Sequence, residues 1–321
     1  MPPTFSFFAK RSTKVSKPIR VRTWRKTVRI PRAHRLTSFR LQLEENLCCQ
    51  AQPQTEKRDP IHTSIMTAHK CRRFEGKLAV VTASTAGIGL AIATRLASEG
   101  ADVVVSSRKE DAVRKTETEL QAKGLSVKGV VCHVDKKGDR ERLLQTAVQW
   151  KGKKIDVLVS NAASSTSFGT TLDTPEKSWD KMFQTNVKAA FLLVQEALPV
   201  LPPGSSVLLV ASYLGFQPEA PIGVYGITKT ALFGLTKALA LELGPSGVRV
   251  NCLAPGVVKT NFSRLLWEDE SANEAASSRT ALKRVGEPDE MGGPAAFLLS
   301  EDASYVTGET VVAAGGMQSR L

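Results

Sequence analysis

Histidine is scarce and badly placed for most of the chemistry it serves. The 321 residues contain four, His34, His62, His69 and His133, so none follows position 133. A hydrolase triad with a late histidine is excluded, and so is a histidine-rich metal centre in that stretch. Cysteine is sparse and odd in number: Cys48, Cys49, Cys71, Cys132 and Cys252 are scattered, which fits a reduced compartment and not a disulfide framework. The adjacent pair Cys48-Cys49 lacks a second Cys or His pair at zinc-ligand spacing. Long apolar runs are missing as well. The uncharged stretch 78–94 has 17 residues and contains Gly87 and Gly89, too short and too broken to span a membrane.

Acidic residues are absent before Glu44, and this absence explains the net charge of +13. Residues 1–73 hold 17 Lys and Arg against 4 acidic residues, which leaves 27 of each sign in residues 74–321. A neutral body offers no clustered cations for a phosphate backbone, so nucleic acid is not expected as a partner. The basic segment, 1–65, cannot bury a core and is expected to be disordered. Its Arg-rich, acid-poor make-up is that of a transit peptide for a plastid or mitochondrion. Equally, translation can start at Met66, leaving a single domain over 66–321; a basic arm for nucleic acid is the third reading.

Within that body, strand-like runs at 78–82, 102–106, 126–132, 155–160, 206–211, 248–252 and 310–313 alternate with helical stretches. Near-continuous Val and Leu runs separated by helices predict an α/β fold, a doubly wound parallel sheet of seven strands covered on both faces.

The first strand runs into Thr82-Ala83-Ser84-Thr85-Ala86-Gly87-Ile88-Gly89, and a helix follows. Such a turn lets the backbone approach a pyrophosphate at a helix N-terminus; without a ligand it is simply a tight βα turn. The second strand ends in Ser107-Arg108-Lys109. An acidic residue there would bind the ribose hydroxyls of NAD, whereas two cations suit the extra phosphate of NADP(H). Further on come Asn161, Asn186, Ser212, and Tyr225 with Lys229 four residues later, a spacing that puts both on one helical face. Carbonyl reduction needs a proton for the developing alkoxide. Tyr225 can supply it, Lys229 can favour the phenolate, Ser212 can polarise the carbonyl and Asn186 can hold a water that relays protons. Singly each residue has an ordinary structural use; their order and company point to catalysis.

In this order the residues resemble the short-chain dehydrogenase/reductase superfamily, over about 74–321. The stretches Val105-Ser106-Ser107-Arg108-Lys109, Val131-Cys132-His133-Val134 and Glu301-Asp302-Ala303-Ser304-Tyr305 look like one branch of it, the peroxisomal NADPH-dependent carbonyl and retinal reductases and the plant tropinone-reductase-like proteins. The resemblance implies a single Rossmann-type domain and an NADPH-dependent reductase of ketones or aldehydes, reversible as an alcohol dehydrogenase. It implies Asn186, Ser212, Tyr225 and Lys229 as catalytic residues. Cofactor contacts are carried over to Thr82, Ser84, Gly87, Ile88, Gly89, Ser107, Arg108, Lys109, His133, Val134, Asn161, Tyr225, Lys229, Pro255, Gly256, Val258 and Thr260. Lys229 is expected to lower the pKa of Tyr225 and to bind the nicotinamide ribose.

Three departures from the family pattern stand out: Ala83 for its first glycine, Ala163 in Asn161-Ala162-Ala163, and His133 at the usual aspartate by the adenine. Ser319-Arg320-Leu321 resembles the peroxisomal address Ser-Lys-Leu and implies the import receptor as a partner; a cytoplasmic location is the alternative without targeting. A homotetramer packed through the helices after Asn161 and Ser212 is also implied. Leu265, Leu266 and Trp267 read either as a lid over an apolar substrate or as core-facing positions. A 3-oxoacyl-thioester reductase and a NADP-binding scaffold with vestigial activity are the alternative functions. No metal is expected.

Overall fold

The structure, a computed structural model, describes residues 72–317. The basic leader, Met66, Cys48, Cys49, Cys71, His34, His62, His69 and the Ser319-Arg320-Leu321 terminus lie outside the described residues.

Seven strands form one sheet in the order β3-β2-β1-β4-β5-β6-β7. They are β1 (Leu78–Val81), β2 (Asp102–Ser107), β3 (Val127–Val131), β4 (Val157–Ser160), β5 (Ser206–Val210), β6 (Arg249–Pro255) and β7 (Thr310–Ala313). Every neighbouring pair is parallel. The expected doubly wound α/β sheet is therefore present, with its strand boundaries close to those read from the sequence. The main difference is β6, which runs on to Pro255 because β7 pairs with it as far as Pro255 and Ala313. The strand order reverses between β1 and β4, and in open α/β sheets ligands bind outside the strand C-termini at that switch point.

The helices are α1 (Gly87–Ser98), α2 (Glu110–Ala122), α3 (Lys137–Lys151), α4 (Glu176–Phe183), α5 (Ala189–Ala197), α6 (Gly223–Leu243), α7 (Glu270–Ser278) and α8 (Gly292–Leu299). Side chains alternate across each strand, so the sheet has two apolar faces. Val80, Val104, Leu158 and Val207 pack on Leu143 of α3, Leu193 of α5 and Leu239 of α6. Ala79, Val81, Val159 and Leu208 pack on Ile92 and Leu96 of α1 and on Leu298 of α8. Two covered faces are why the strands carry unbroken apolar runs instead of alternating ones.

One charged side chain lies deep in this packing. The Arg140 guanidinium on α3 is 2% exposed and donates to both carboxylate oxygens of Glu196 on α5, at 2.9 and 2.6 Å, and to the Val134 carbonyl at 2.6 Å. Glu196→Ala is expected to leave a buried cation unpaired and to lower unfolding stability by about 3 kcal/mol or more. Urea denaturation checks this, and a loss under about 1 kcal/mol would show that the pair is dispensable.

Candidate active site

The turn after β1 is built by buried hydroxyls. Thr82 donates to the Val159 carbonyl on β4 and accepts from the Asn161 N–H at 3.0 Å. Ser84 donates to the Val81 carbonyl at 2.7 Å and accepts from the Ser106 N–H at 2.9 Å. These two side chains, read from the sequence as cofactor contacts, fix the turn. The Asn161 amide clamps it from β4, donating to the carbonyls of Thr82 and Ala83 at 3.1 and 3.0 Å.

Ala83 is held at φ +49° and Gly87 at φ +55°, the left-handed region where a side chain is strained and glycine is not. Ala83 therefore adopts at a cost a conformation that glycine would take freely. At Gly89 a Cβ would lie 2.4 Å from the Ala83 carbonyl oxygen and 2.4 Å from Asn161 Nδ2, so only glycine fits. No side chain caps the N-terminus of α1. Its first N–H groups are thus available to an anion, as a pyrophosphate cradle requires.

Two cavities flank this turn. The smaller, about 110 Å³, is lined by Ala83, Arg108, His133, Val134 and Ala163 among others. Arg108 stands on its rim, and neither Arg108 nor Lys109 has a carboxylate partner among the described residues. Lys109 is the residue that starts α2 and lies off the cavity; its N–H and carbonyl are both tied to the Ser107 hydroxyl. The His133 N–H is held by Asp139 at 2.8 Å. The other departure, Ala163, is a wall of the same cavity.

The larger cavity, about 410 Å³, lies at the C-terminal ends of the strands. Ile88, Pro255, Gly256, Val258 and Thr260 line it together with Ser212 and Tyr225. A Cβ on Gly87 would touch Thr260 Cγ2 at 3.0 Å, which shows how closely the β6 loop approaches the phosphate turn. The remaining wall includes Phe168, Tyr213, Leu214, Ile222, Phe262, Leu265 and Leu266, and among the described residues no charged side chain faces the cavity. Sequence reading missed the aromatic wall. Tyr213 adjoins Ser212 and gave that one signal, while Phe168 and Phe262 come from distant loops and gave none. None of Leu265, Leu266 and Trp267 is buried, so their core-facing reading is corrected. Leu265 and Leu266 line the cavity, and Trp267 donates to the Thr260 carbonyl at 3.0 Å.

Asn186, Ser212, Tyr225 and Lys229 are all buried. Ser212 follows β5 and accepts the Leu214 N–H at 3.2 Å; its hydroxyl favours the phenolate of Tyr225. Burial nevertheless pushes the Tyr225 phenol above its ordinary value. Lys229 Nζ lies 5.4 Å from the centre of the Tyr225 ring and donates to the Val210 carbonyl at 2.9 Å. In this geometry burial outweighs the Ser212 hydroxyl in setting the Tyr225 phenol. Burial itself pushes the ammonium down to about 8, and Cys252 opposes that shift.

Asn186 sits in a π-helical turn, Gln184–Lys188, between α4 and α5. Its side chain accepts the Ser164 N–H at 2.7 Å and donates to the Ser164 carbonyl and to Thr228 Oγ1, both at 2.9 Å. Thr228 in turn donates to the Tyr225 carbonyl at 2.7 Å. Both Nδ2 hydrogens and one of the two lone pairs of the amide oxygen are engaged, so the side chain braces this turn and keeps one acceptor position open. Cys132, whose thiol burial pushes up to about 12, is inert, and no metal-ligand cluster exists among the described residues.

A fold that sets a Tyr-x-x-x-Lys helix beside a serine and a glycine-built phosphate turn defines a class of oxidoreductase. The family model described as enoyl-(acyl carrier protein) reductase matches residues 82–318. The chain is 53% identical over 250 residues to dehydrogenase/reductase SDR family member 4 of Bos taurus, covering 77% of this chain and 89% of the relative. It is 55% identical over 250 residues to tropinone reductase-like 3 of Erythroxylum coca, covering 78% and 96%. Among solved structures, actinorhodin polyketide ketoreductase with NADPH superposes with a TM-score of 0.70 at 31% identity, covering 75% of this chain and 97% of that one. A short chain dehydrogenase from Burkholderia cenocepacia in complex with NADP gives 0.71 at 28%, covering 76% and 99%. The chain belongs to the short-chain dehydrogenase/reductase superfamily. It is accordingly an NAD(P)-dependent dehydrogenase/reductase acting on CH–OH and C=O groups.

Proposed function

We propose that the chain reduces apolar ketones and aldehydes with NADPH, reversibly, with Tyr225 as the acid and base. The observation that carries this reading is the opening of Tyr225 and Ser212 onto a 410 Å³ cavity with no charged lining among the described residues. When bound, the nicotinamide supplies the hydride. The glycine turn and the uncapped start of α1 take the pyrophosphate, and Arg108 takes the 2′-phosphate, with Lys109 in support.

Ser212 turns its hydroxyl toward the substrate carbonyl and stabilises the charge that grows there. Tyr225 gives its phenolic proton to that oxygen. Lys229, released from the Val210 carbonyl toward the nicotinamide ribose, would bring its ammonium nearer to the phenolate. A proton-relay water at Asn186 would be held by its main chain or by the remaining lone pair of its Oδ1.

The test is NADPH oxidation by the full chain against aromatic ketones, α-dicarbonyls, retinal and acetoacetyl thioesters, with NADH as the control. Turnover of the apolar carbonyls with NADPH supports the reading. Turnover confined to thioesters favours a 3-oxoacyl-thioester reductase, and NADPH binding without turnover favours a cofactor-binding scaffold.

The same reading includes a homotetramer. Phe191 on α5 and Leu241 on α6 are exposed apolar side chains on the helices expected to pack together, and a monomer in sedimentation would overturn this. It also includes a peroxisomal location through Ser319-Arg320-Leu321. Deleting those three residues should abolish import of a tagged chain; delivery to a plastid or mitochondrion would instead assign targeting to the leader.

A further inference from the structure

Tyr213, on the wall of the larger cavity, is linked to the far end of the lid by a single carboxylate. Its hydroxyl donates to Glu219 Oε1 at 3.2 Å. Arg279, the residue that closes α7, donates through Nη1 to Glu219 Oε2 at 2.8 Å and through Nη2 to Oε1. Three segments thus meet at one side chain: the end of β5, the loop before α6, and the lid. Burial pushes the Tyr213 hydroxyl up to about 12, so it remains a donor. The Arg279 guanidinium holds the Glu219 carboxyl below its usual range, so it remains an acceptor.

Trp267 on the Thr260 carbonyl, Phe262 on the Tyr225 ring and the Leu282 N–H on the Gly315 carbonyl hold the two ends of the lid, and this link holds α7 between them. No residue of α7 is fully buried, and Ala272, Asn273, Ala276 and Ser277 are half-buried, so packing holds the helix only by one shallow face. Among the described residues, two ion pairs join the lid, 261–285, to the rest of the fold: Arg279–Glu219 at the end of α7 and Arg284–Glu290 at the lid's last turn; Arg264–Glu268 is internal to it.

We propose that Glu219 is a positioning residue for substrate selection: by clasping Tyr213 and Arg279 it fixes both the cavity wall and the lid, and so sets KM for bulky carbonyl substrates. The inference rests on the reading of the larger cavity as the substrate site. Small substrates that reach Tyr225 and Ser212 without touching the lid are insensitive to the clasp, whereas large ones need the lid closed over them.

The test uses full-length Glu219→Gln, Arg279→Ala, Arg279→Lys and the Glu219→Gln/Arg279→Ala double variant. Each is assayed with a bulky aryl ketone and a small α-dicarbonyl. The expected result is a KM for the aryl ketone raised about tenfold in Glu219→Gln and Arg279→Ala. The double variant should be no worse than either single one. The α-dicarbonyl KM, kcat and the NADPH dissociation constant should stay within about twofold, and Arg279→Lys should recover part of the loss. Amide hydrogen exchange of residues 261–280 supplies a readout independent of turnover, and it should accelerate in Glu219→Gln.

Unchanged exchange together with an unchanged aryl-ketone KM overturns the proposal. So does a parallel loss for both substrates and for NADPH, which marks a merely structural role. If the wild-type chain turns over neither substrate, the reductase reading fails. Exchange then decides the clasp alone: acceleration supports it and no change overturns it.

Discussion

Replacing Tyr225 by Phe should lower kcat for carbonyl reduction by about 10²- to 10⁴-fold, the range for removing a positioned proton donor, while NADPH binds as before. The substitution takes away one oxygen and leaves the ring, which packs against Phe262 with ring centres 5.6 Å apart. The loss should fall on kcat and kcat/KM together, because the proton is needed only as the alkoxide forms. Turnover within tenfold of wild type would sink the assignment.

The same site predicts a pH dependence. Burial holds Tyr225 protonated well into the alkaline range and pushes Lys229 down to about 8. Below that pH Lys229 carries its charge, and above it the charge is lost. If the ammonium supports the departing proton, kcat/KM for reduction is flat on the acid side. It then falls by about tenfold per pH unit above 8. A profile that stays flat to pH 10 would show that the charge of Lys229 is not used.

Cofactor choice carries the second large effect. Arg108 stands on the rim of the smaller cavity without a carboxylate partner among the described residues, and a charge-assisted contact to a phosphate contributes about 1.5–3 kcal/mol. Arg108→Ala should therefore raise KM for NADPH by about tenfold to hundredfold and leave NADH unchanged. Lys109→Ala should add less, because Lys109 starts α2 and lies off that cavity. Steady-state kinetics with both dinucleotides checks this. An equal loss with NADH would move Arg108 from phosphate recognition to a general role in the fold.

Much of this site is legible in the sequence. Local patterns carry it: the glycines after a Val-rich strand, the cations closing the next strand, and a Tyr and a Lys one helical turn apart. Each of these is a relation between residues near in sequence, where periodicity and turn chemistry decide the outcome. The partners of those residues are not legible there. Nothing in the sequence indicates that Thr82 and Ser84 turn inward, that the amide of Asn186 pairs with Ser164 and Thr228, or that Lys229 donates to Val210. Which of several possible acceptors a polar side chain finds depends on atoms brought in from other strands.

Local sequence dictates the α/β sheet, the alternation of its strands and helices, and the chemical inventory at the strand C-termini, because strand and helix periods and turn residues are properties of neighbours in the chain. Packing in three dimensions dictates what surrounds that inventory. It lifts the phenol of Tyr225 and depresses the ammonium of Lys229 by burial. It lines the cavity with Phe168, Phe262 and Tyr213 from three separate segments, and it joins Glu219 to Arg279 across 60 positions of chain. Desolvation and long-range pairing depend on the density and identity of neighbours in space, which sequence proximity does not encode.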